Sequence, residues 1–321
     1  MGEALLRTNG LKTHFFTAEG IVKAVDGVNL RINKGEALGL VGESGCGKST
    51  LALSILRLIR EPGKIVEGEI WFEGEDLLRK SDEEMRNVRG AKISMVFQNP
   101  ISSMNPVFTV GSQIAEAINL HQDVQKHEIS ERVVEILDKV GIPDPSERMK
   151  DYPHEYSGGM TQRAMIAMAL SCNPRLLIAD EPTTNLDVTI QAQILELMKA
   201  LREDFGASIL LIGHDLGVIS EISDRIGVMY AGKLVEYSDL AGIFEKTKHP
   251  YTQALLESIP RLGTEQERLL IIRGTVPRLI NPPSGCRFHP RCDHAMKICS
   301  EQEPPLIEVG QGHEVACFLY S

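Results

Sequence analysis

Gly42-Glu43-Ser44-Gly45-Cys46-Gly47-Lys48-Ser49-Thr50 fits the phosphate-binding template G-x-x-x-x-G-K-[ST]. The stretch stands between the apolar run Ala37–Val41, which reads as a strand, and residues 51–59, which read as a helix, the context the template requires. The chemistry is recognition of a nucleoside triphosphate. Glycines let backbone N–H groups converge on phosphate oxygens, the helix N-terminus adds positive potential, Lys48 reaches the outer phosphates, and the Ser49 hydroxyl can join the shell of a Mg2+ ion.

A second constellation closes an apolar run: Leu177-Ile178-Ala179 ends in Asp180-Glu181. There Asp180 can hold Mg2+ while Glu181 orients or deprotonates an attacking water. A third, Tyr156-Ser157-Gly158-Gly159-Met160-Thr161-Gln162-Arg163, opens a helical run over residues 164–171. A Ser hydroxyl and Gly N–H groups thus sit at another helix N-terminus, a second anion site that one nucleotide does not need on one chain.

The elements that must position these groups are legible as patterns. Residues 1–40 alternate apolar and polar, with a turn near Ala18-Glu19-Gly20, and predict short strands and a hairpin. Another hairpin is expected around residues 63–72, then a polar segment at 80–89 and an apolar strand at 93–97. Residues 108–140 read as helix, with apolar Ile114, Ile118, Val133, Ile136 and Val140, an inserted helical block between loop and acids. The runs 176–179 and 209–212 are continuously apolar, as strands buried on both faces of a largely parallel sheet would be, so the core is α/β. Near Gly232 a hairpin pattern follows, and beyond Lys248 the chain turns rich in Pro, charge and Cys, which places a boundary at about residue 240.

These groups resemble those of the ABC transporter ATPases: Ser-Gly-Gly before Asp180-Glu181, Gln98 after one apolar strand and His214 after another are similar to that family's signature, Q-loop and H-loop. The resemblance implies a P-loop NTPase core with an antiparallel β subdomain and an inserted helical subdomain (about 99–170) within residues 1–240. In that family two subunits face head to tail, and each signature closes over the partner's ATP. Residue by residue, the resemblance assigns Lys48 and Ser49 to phosphate and Mg2+, Gln98 to Mg2+ and water, and Ser157 with Gly158 and Gly159 to the partner's γ-phosphate. It assigns Asp180 to Mg2+, Glu181 to water activation, Asp187 to the dimer-spanning D-loop and His214 to the γ-phosphate. Phe15 is chosen for stacking on adenine, with Phe16 its rival. Two departures stand out: Tyr156 and Met160 flank Ser-Gly-Gly where Leu and Gln are familiar, and Asn185 precedes Leu186-Asp187 where a small residue is common.

Four of the six cysteines, Cys286, Cys292, Cys299 and Cys317, crowd the end of the chain, at intervals of five, six and seventeen residues. With no secretion signal, disulfides are disfavoured and a four-thiolate metal site is expected, zinc or iron-sulfur, between which the spacing does not choose. His289, His294 and His313 are further candidates as zinc ligands. His249-Pro250-Tyr251-Thr252, with Gly285-Cys286-Arg287-Phe288 and Pro290-Arg291-Cys292, resembles the C-terminal extension of the peptide-importer branch, over about residues 241–321. That branch serves dipeptide and oligopeptide permeases with nickel and opine relatives. It associates the cysteines with a [4Fe-4S] cluster, zinc being the alternative.

Composition narrows the function further. Against 34 basic side chains stand 44 acidic ones, a net charge of −10, which disfavours nucleic-acid binding. No apolar stretch approaches 18 residues, no charged start leads into an apolar h-region, and Leu6 breaks the myristoylation pattern, so a cytosolic or peripheral protein is expected, and the resemblance implies the cytoplasmic face of the membrane. The resemblance implies an ATP-hydrolysing subunit working with an identical or paralogous ATPase, two membrane permeases and, indirectly, a substrate-binding protein. The rival is a soluble ABC ATPase with an iron-sulfur redox-sensing module.

Overall fold

The computed structural model describes residues 3–99, 103–184, 186–259 and 272–321; Asn185 lies outside them. The chain divides into two compact units, one of Met1–Asn33, Ala37–Leu78 and Ile212–Ser321, the other of Lys34–Glu36 and Arg79–Leu211.

In the first unit, β1 (Ala4–Thr17) and β2 (Gly20–Asn33) pair antiparallel from Thr17↔Gly20 onward, the hairpin that the Ala-Glu-Gly turn announces. Residues 63–72 are not a second hairpin. They form one strand, β4 (Gly63–Phe72), whose antiparallel partners are β1 and the short β5 (Glu75–Asp76), and the order is β2-β1-β4-β5. The strand β3 (Ala37–Val41) is buried at every position and runs parallel to β9 (Arg225–Tyr230). A hairpin at Gly232 leads from β9 to β10 (Lys233–Asp239), which pairs antiparallel with β12 (His313–Val315), itself paired with β11 (Ile307–Gly310).

The helix α1 (Lys48–Ile55) follows the loop after β3 and is shorter than its apolar pattern, because Arg57 turns left-handed at φ 53 and ties to the Leu77 carbonyl at 3.1 Å. Short helices complete this unit: α8 (Leu216–Ser220), α9 (Leu240–Phe244), α10 (Pro250–Glu257) and α11 (Lys297–Glu301).

In the second unit, β6 (Ile93–Val96) runs parallel to β7 (Leu176–Asp180), every residue of which is buried. The strand β8 (Ser208–Gly213), whose last two residues fall in the first unit, is equally buried. The polar segment near residue 80 holds a helix, α2 (Asp82–Val88), which a capping box starts: Glu84 N–H donates to Ser81 Oγ at 3.2 Å and Ser81 N–H to Glu84 Oε2 at 2.7 Å. Residues 108–140 form two helices, α3 (Val110–His121) and α4 (Lys126–Lys139). They part at Gln122, whose amide donates to the Ser171 carbonyl at 2.8 Å, a tertiary bond no local pattern reveals. Ile114 and Ile118 of α3, and Ile129, Val133, Ile136 and Leu137 of α4, supply buried faces. The helices α5 (Pro145–Arg148), α6 (Gly158–Leu170) and α7 (Val188–Phe205) complete the description.

Candidate functional site

The sequence between β3 and α1 folds into a loop that only glycine can occupy at two points. At Gly42 (φ +154) a Cβ would lie 2.2 Å from the Met229 carbonyl oxygen, and at Gly47 (φ +107) 2.1 Å from that of Ala24. The loop is therefore pressed against β2 and β9, with Gly232 N–H donating to the Cys46 carbonyl at 2.8 Å. Lys48 is 5 % exposed and its ammonium donates to the carbonyls of Gly42 (2.7 Å) and Glu43 (3.2 Å), so the cation is held at the loop's mouth. Ser44, Gly45 and Ser49 are exposed, Thr50 is half-buried, and Cys46 is fully buried, where desolvation pushes its thiol pKa up despite nearby Lys48. This buried thiol packs beneath the loop. His214 follows Gly213 at the end of β8 and is exposed, just before Asp215 caps α8 through the N–H groups of Gly217 (2.8 Å) and Val218 (3.3 Å). Phe15 is half-buried: a Cβ on Gly63 would come within 2.6 Å of its ring. Phe16 is 46 % exposed, the freer ring of the two.

The second unit brings Gln98 and Glu181 together. The Gln98 amide donates to Glu181 Oε2 at 2.8 Å, and the Thr184 hydroxyl donates to the same oxygen at 3.0 Å. Glu181 sits at φ 48, a left-handed conformation uncommon for a residue with a side chain, immediately after Asp180, which is 5 % exposed at the end of β7. Ser157 caps α6, its oxygen accepting the Met160 N–H at 3.3 Å; Ser157 and Gly158 are exposed and Gly159 packs beside Ile190. The hydroxyl hydrogen of a capping Ser remains available to an anion. Tyr156 accounts for the first departure from the family pattern. It is 8 % exposed, its hydroxyl donates to the Arg148 carbonyl at 2.9 Å, and burial pushes its pKa up to about 12. Asp187 caps α7 by accepting the Ile190 N–H at 3.0 Å.

This geometry has counterparts among known proteins. The ABC transporter family matches residues 25–184, and the oligopeptide/dipeptide transporter C-terminal region matches residues 235–299. The oligopeptide transport ATP-binding protein AppD of Bacillus subtilis is 51 % identical over 98 % of this chain and 97 % of its own length. The chain belongs to the ABC transporter family. The dipeptide transport ATP-binding protein DppD of Escherichia coli is 46 % identical over 98 % of this ABC ATPase and 96 % of its own length. A solved dimeric ATP-binding cassette in a post-hydrolysis state with ADP and phosphate superposes with a TM-score of 0.66 at 28 % identity, covering 73 % of this chain and 98 % of that one. The protein is thus an ATPase with the ABC fold, α/β with mixed sheets. The rival of a free-standing redox-sensing ATPase gains no support from these transport relatives.

In the C-terminal region of this ABC ATPase, Glu236 is fully buried and gathers four donors: Lys248 N–H (2.7 Å), His249 N–H (3.0 Å), the Thr247 hydroxyl (3.1 Å) and His313 Nε2 (2.8 Å). His313 is thereby engaged elsewhere than with the cysteines, and His289 Nδ1 meets the Cys286 carbonyl at 2.8 Å. The Cys299 sulfur accepts the Met296 N–H at 3.4 Å. Burial, and then the other cysteines, push the Cys286 thiol up to about 11. Among the described residues no group of three or more His, Cys, Asp or Glu side chains is placed to hold a metal ion.

Proposed function

We propose that this ATPase powers import of dipeptides or oligopeptides through a membrane ABC transporter, closing on an identical or paralogous partner when ATP binds and reopening after hydrolysis. The observation that supports the hydrolytic machinery most directly is the Gln98–Glu181 hydrogen bond at the acidic end of an apolar strand. Lys48 and residues 42–50 hold the phosphates, Ser49, Gln98 and Asp180 hold Mg2+, and Glu181 takes the proton of the attacking water that Gln98 and His214 help to place. Ser157, Gly158 and Gly159 donate to the partner's γ-phosphate, and Asp187 lies where the two subunits meet. Phe15 or the more exposed Phe16 stacks on adenine.

The peptide class rests on the names of the relatives, with nickel or opine as the substrate alternative. No helix among the described residues is long and apolar enough to cross a membrane, and the proposed seat of this subunit is the cytoplasmic face of the membrane, beside two permease subunits. Replacing Glu181 with Gln tests the site: turnover is expected to fall by about 100-fold or more while Mg-ATP is still bound. A variant that hydrolyses at the native rate contradicts the assignment.

We further propose that residues 241–321 form an appended module in which Cys286, Cys292, Cys299 and Cys317 hold a [4Fe-4S] cluster. The reading is supported by four thiols close enough to act on one another's charge and by the Met296 N–H on the Cys299 sulfur, a bond that suits a thiolate ligand, although the side chains would have to draw together to hold a metal. The cluster would supply a four-point cross-link to a segment poor in apolar residues. Protein purified without oxygen is expected to carry about four irons per chain, lost in Cys286→Ser; one zinc per chain would replace the cluster by the alternative metal.

A further inference from the structure

We propose that Arg291 is a positioning residue of the phosphate loop, holding Glu43 and cancelling its charge so that the loop can receive a triphosphate. The inference rests on residues 42–50 being the nucleotide site, and it requires no metal at the cysteines. Arg291 presents its guanidinium fork to the Glu43 carboxylate, Nη1 to Oε2 at 2.8 Å and Nη2 to Oε1 at 3.1 Å. Its Nε donates to the Arg273 carbonyl at 2.7 Å, and Nη1 also reaches the Tyr230 hydroxyl at 3.3 Å. The arginine side chain is 5 % exposed, so it is locked rather than waving in solvent. Such bidentate, partly desolvated pairs are the strong ones.

Glu43 is in consequence fixed at three points. Its carboxylate is held by Arg291, its N–H donates to the Tyr251 hydroxyl at 3.0 Å, and its carbonyl accepts from Lys48 at 3.2 Å. A second arginine of the same segment reaches the loop from below: Arg287 donates to the Ala231 carbonyl and to Asp26, and the next residue, Gly232, donates to the Cys46 carbonyl at 2.8 Å. Arg287 and Arg291 adjoin Cys286 and Cys292, so the cysteine-bearing segment touches the loop's surroundings at two places.

Why the loop needs this follows from charge. An acid inside a phosphate-binding loop repels the ligand, and a like charge a few ångströms from a polyanion in a partly dehydrated site is expensive. Pairing with Arg291 removes that repulsion while leaving the Glu43 carbonyl and amide where the loop requires them.

The test is equilibrium binding of a fluorescent ATP analogue with Mg2+ to the full chain in four variants. Arg291→Gln is expected to weaken binding about tenfold by exposing the Glu43 charge. The double variant Arg291→Gln/Glu43→Gln should regain most of that loss, which a merely structural role of Arg291 would not allow. Glu43→Gln alone should bind at least as tightly as the native chain. Native affinity in folded Arg291→Gln, or a double variant as weak as Arg291→Gln, overturns the proposal. Should Arg291→Gln fail to fold, the isosteric Glu43→Gln decides alone, weakened binding there being the contradicting result. Lys48→Ala, expected to lose binding, checks the nucleotide site itself; unaffected binding there would remove that site and the proposal with it.

Discussion

His249 lies wholly inside the C-terminal region, where its Nδ1 accepts the Tyr251 N–H at 3.1 Å and caps α10. Its proton is therefore on Nε2, which is buried with no hydrogen-bond partner, beside the Phe288 ring at 5.8 Å. Burial pushes its pKa down to about 3, from 6.5. The unfolded chain takes up this proton near pH 6.5 and the native chain does not, so stability is complete above that pH and lost as pH falls toward 3. Each unit of pH in that window costs about 1.4 kcal/mol. Between pH 7 and pH 5 the native protein should lose about 2 kcal/mol more stability than His249→Asn, which keeps a capping oxygen and cannot titrate; equal losses in denaturant melts would contradict this. Neither this histidine nor the Glu43–Arg291 pair was legible residue by residue. The phosphate loop announces itself because its chemistry is local, nine residues in a row, whereas Arg291 meets Glu43 across 248 positions and only the folded chain brings them together.

At the scale of elements, buried strands were readable because apolar continuity is a local property: β3, β7 and β8 lie where their runs place them. The misreadings have physical causes. The stretch from Gly63 to Phe72 is a single strand whose hairpin turn comes just after it, with the short β5, while its long partner is β1, far away in sequence. The helix α2 hid in a charged segment, although Ser81 followed by Glu84 is the capping signal that could have revealed it. Ser157 caps α6, and on the function proposed above the same side chain would also donate to the partner's γ-phosphate. Ser157→Ala removes the cap of α6 and should cost about 1 kcal/mol in a urea melt, while ATP turnover of the assembled dimer falls much further, because the partner's γ-phosphate loses a donor. Turnover reduced no more than the stability loss explains would confine Ser157 to capping.

For the whole molecule, the order of loop, signature, acids and histidine pointed to an ABC ATPase, which the relatives bear out. The C-terminal segment points to the peptide-transport class, but which peptide is carried is not legible in the sequence. The most direct test of the import role is uptake of a labelled oligopeptide into proteoliposomes holding this ATPase with the permease pair it co-purifies with, alongside ATP consumption. Hydrolysis that rises several-fold with permeases and peptide-loaded binding protein, and uptake that requires ATP and disappears with Glu181→Gln, is the expected result. Vigorous hydrolysis indifferent to the permeases, with no peptide entering the vesicles, would contradict it.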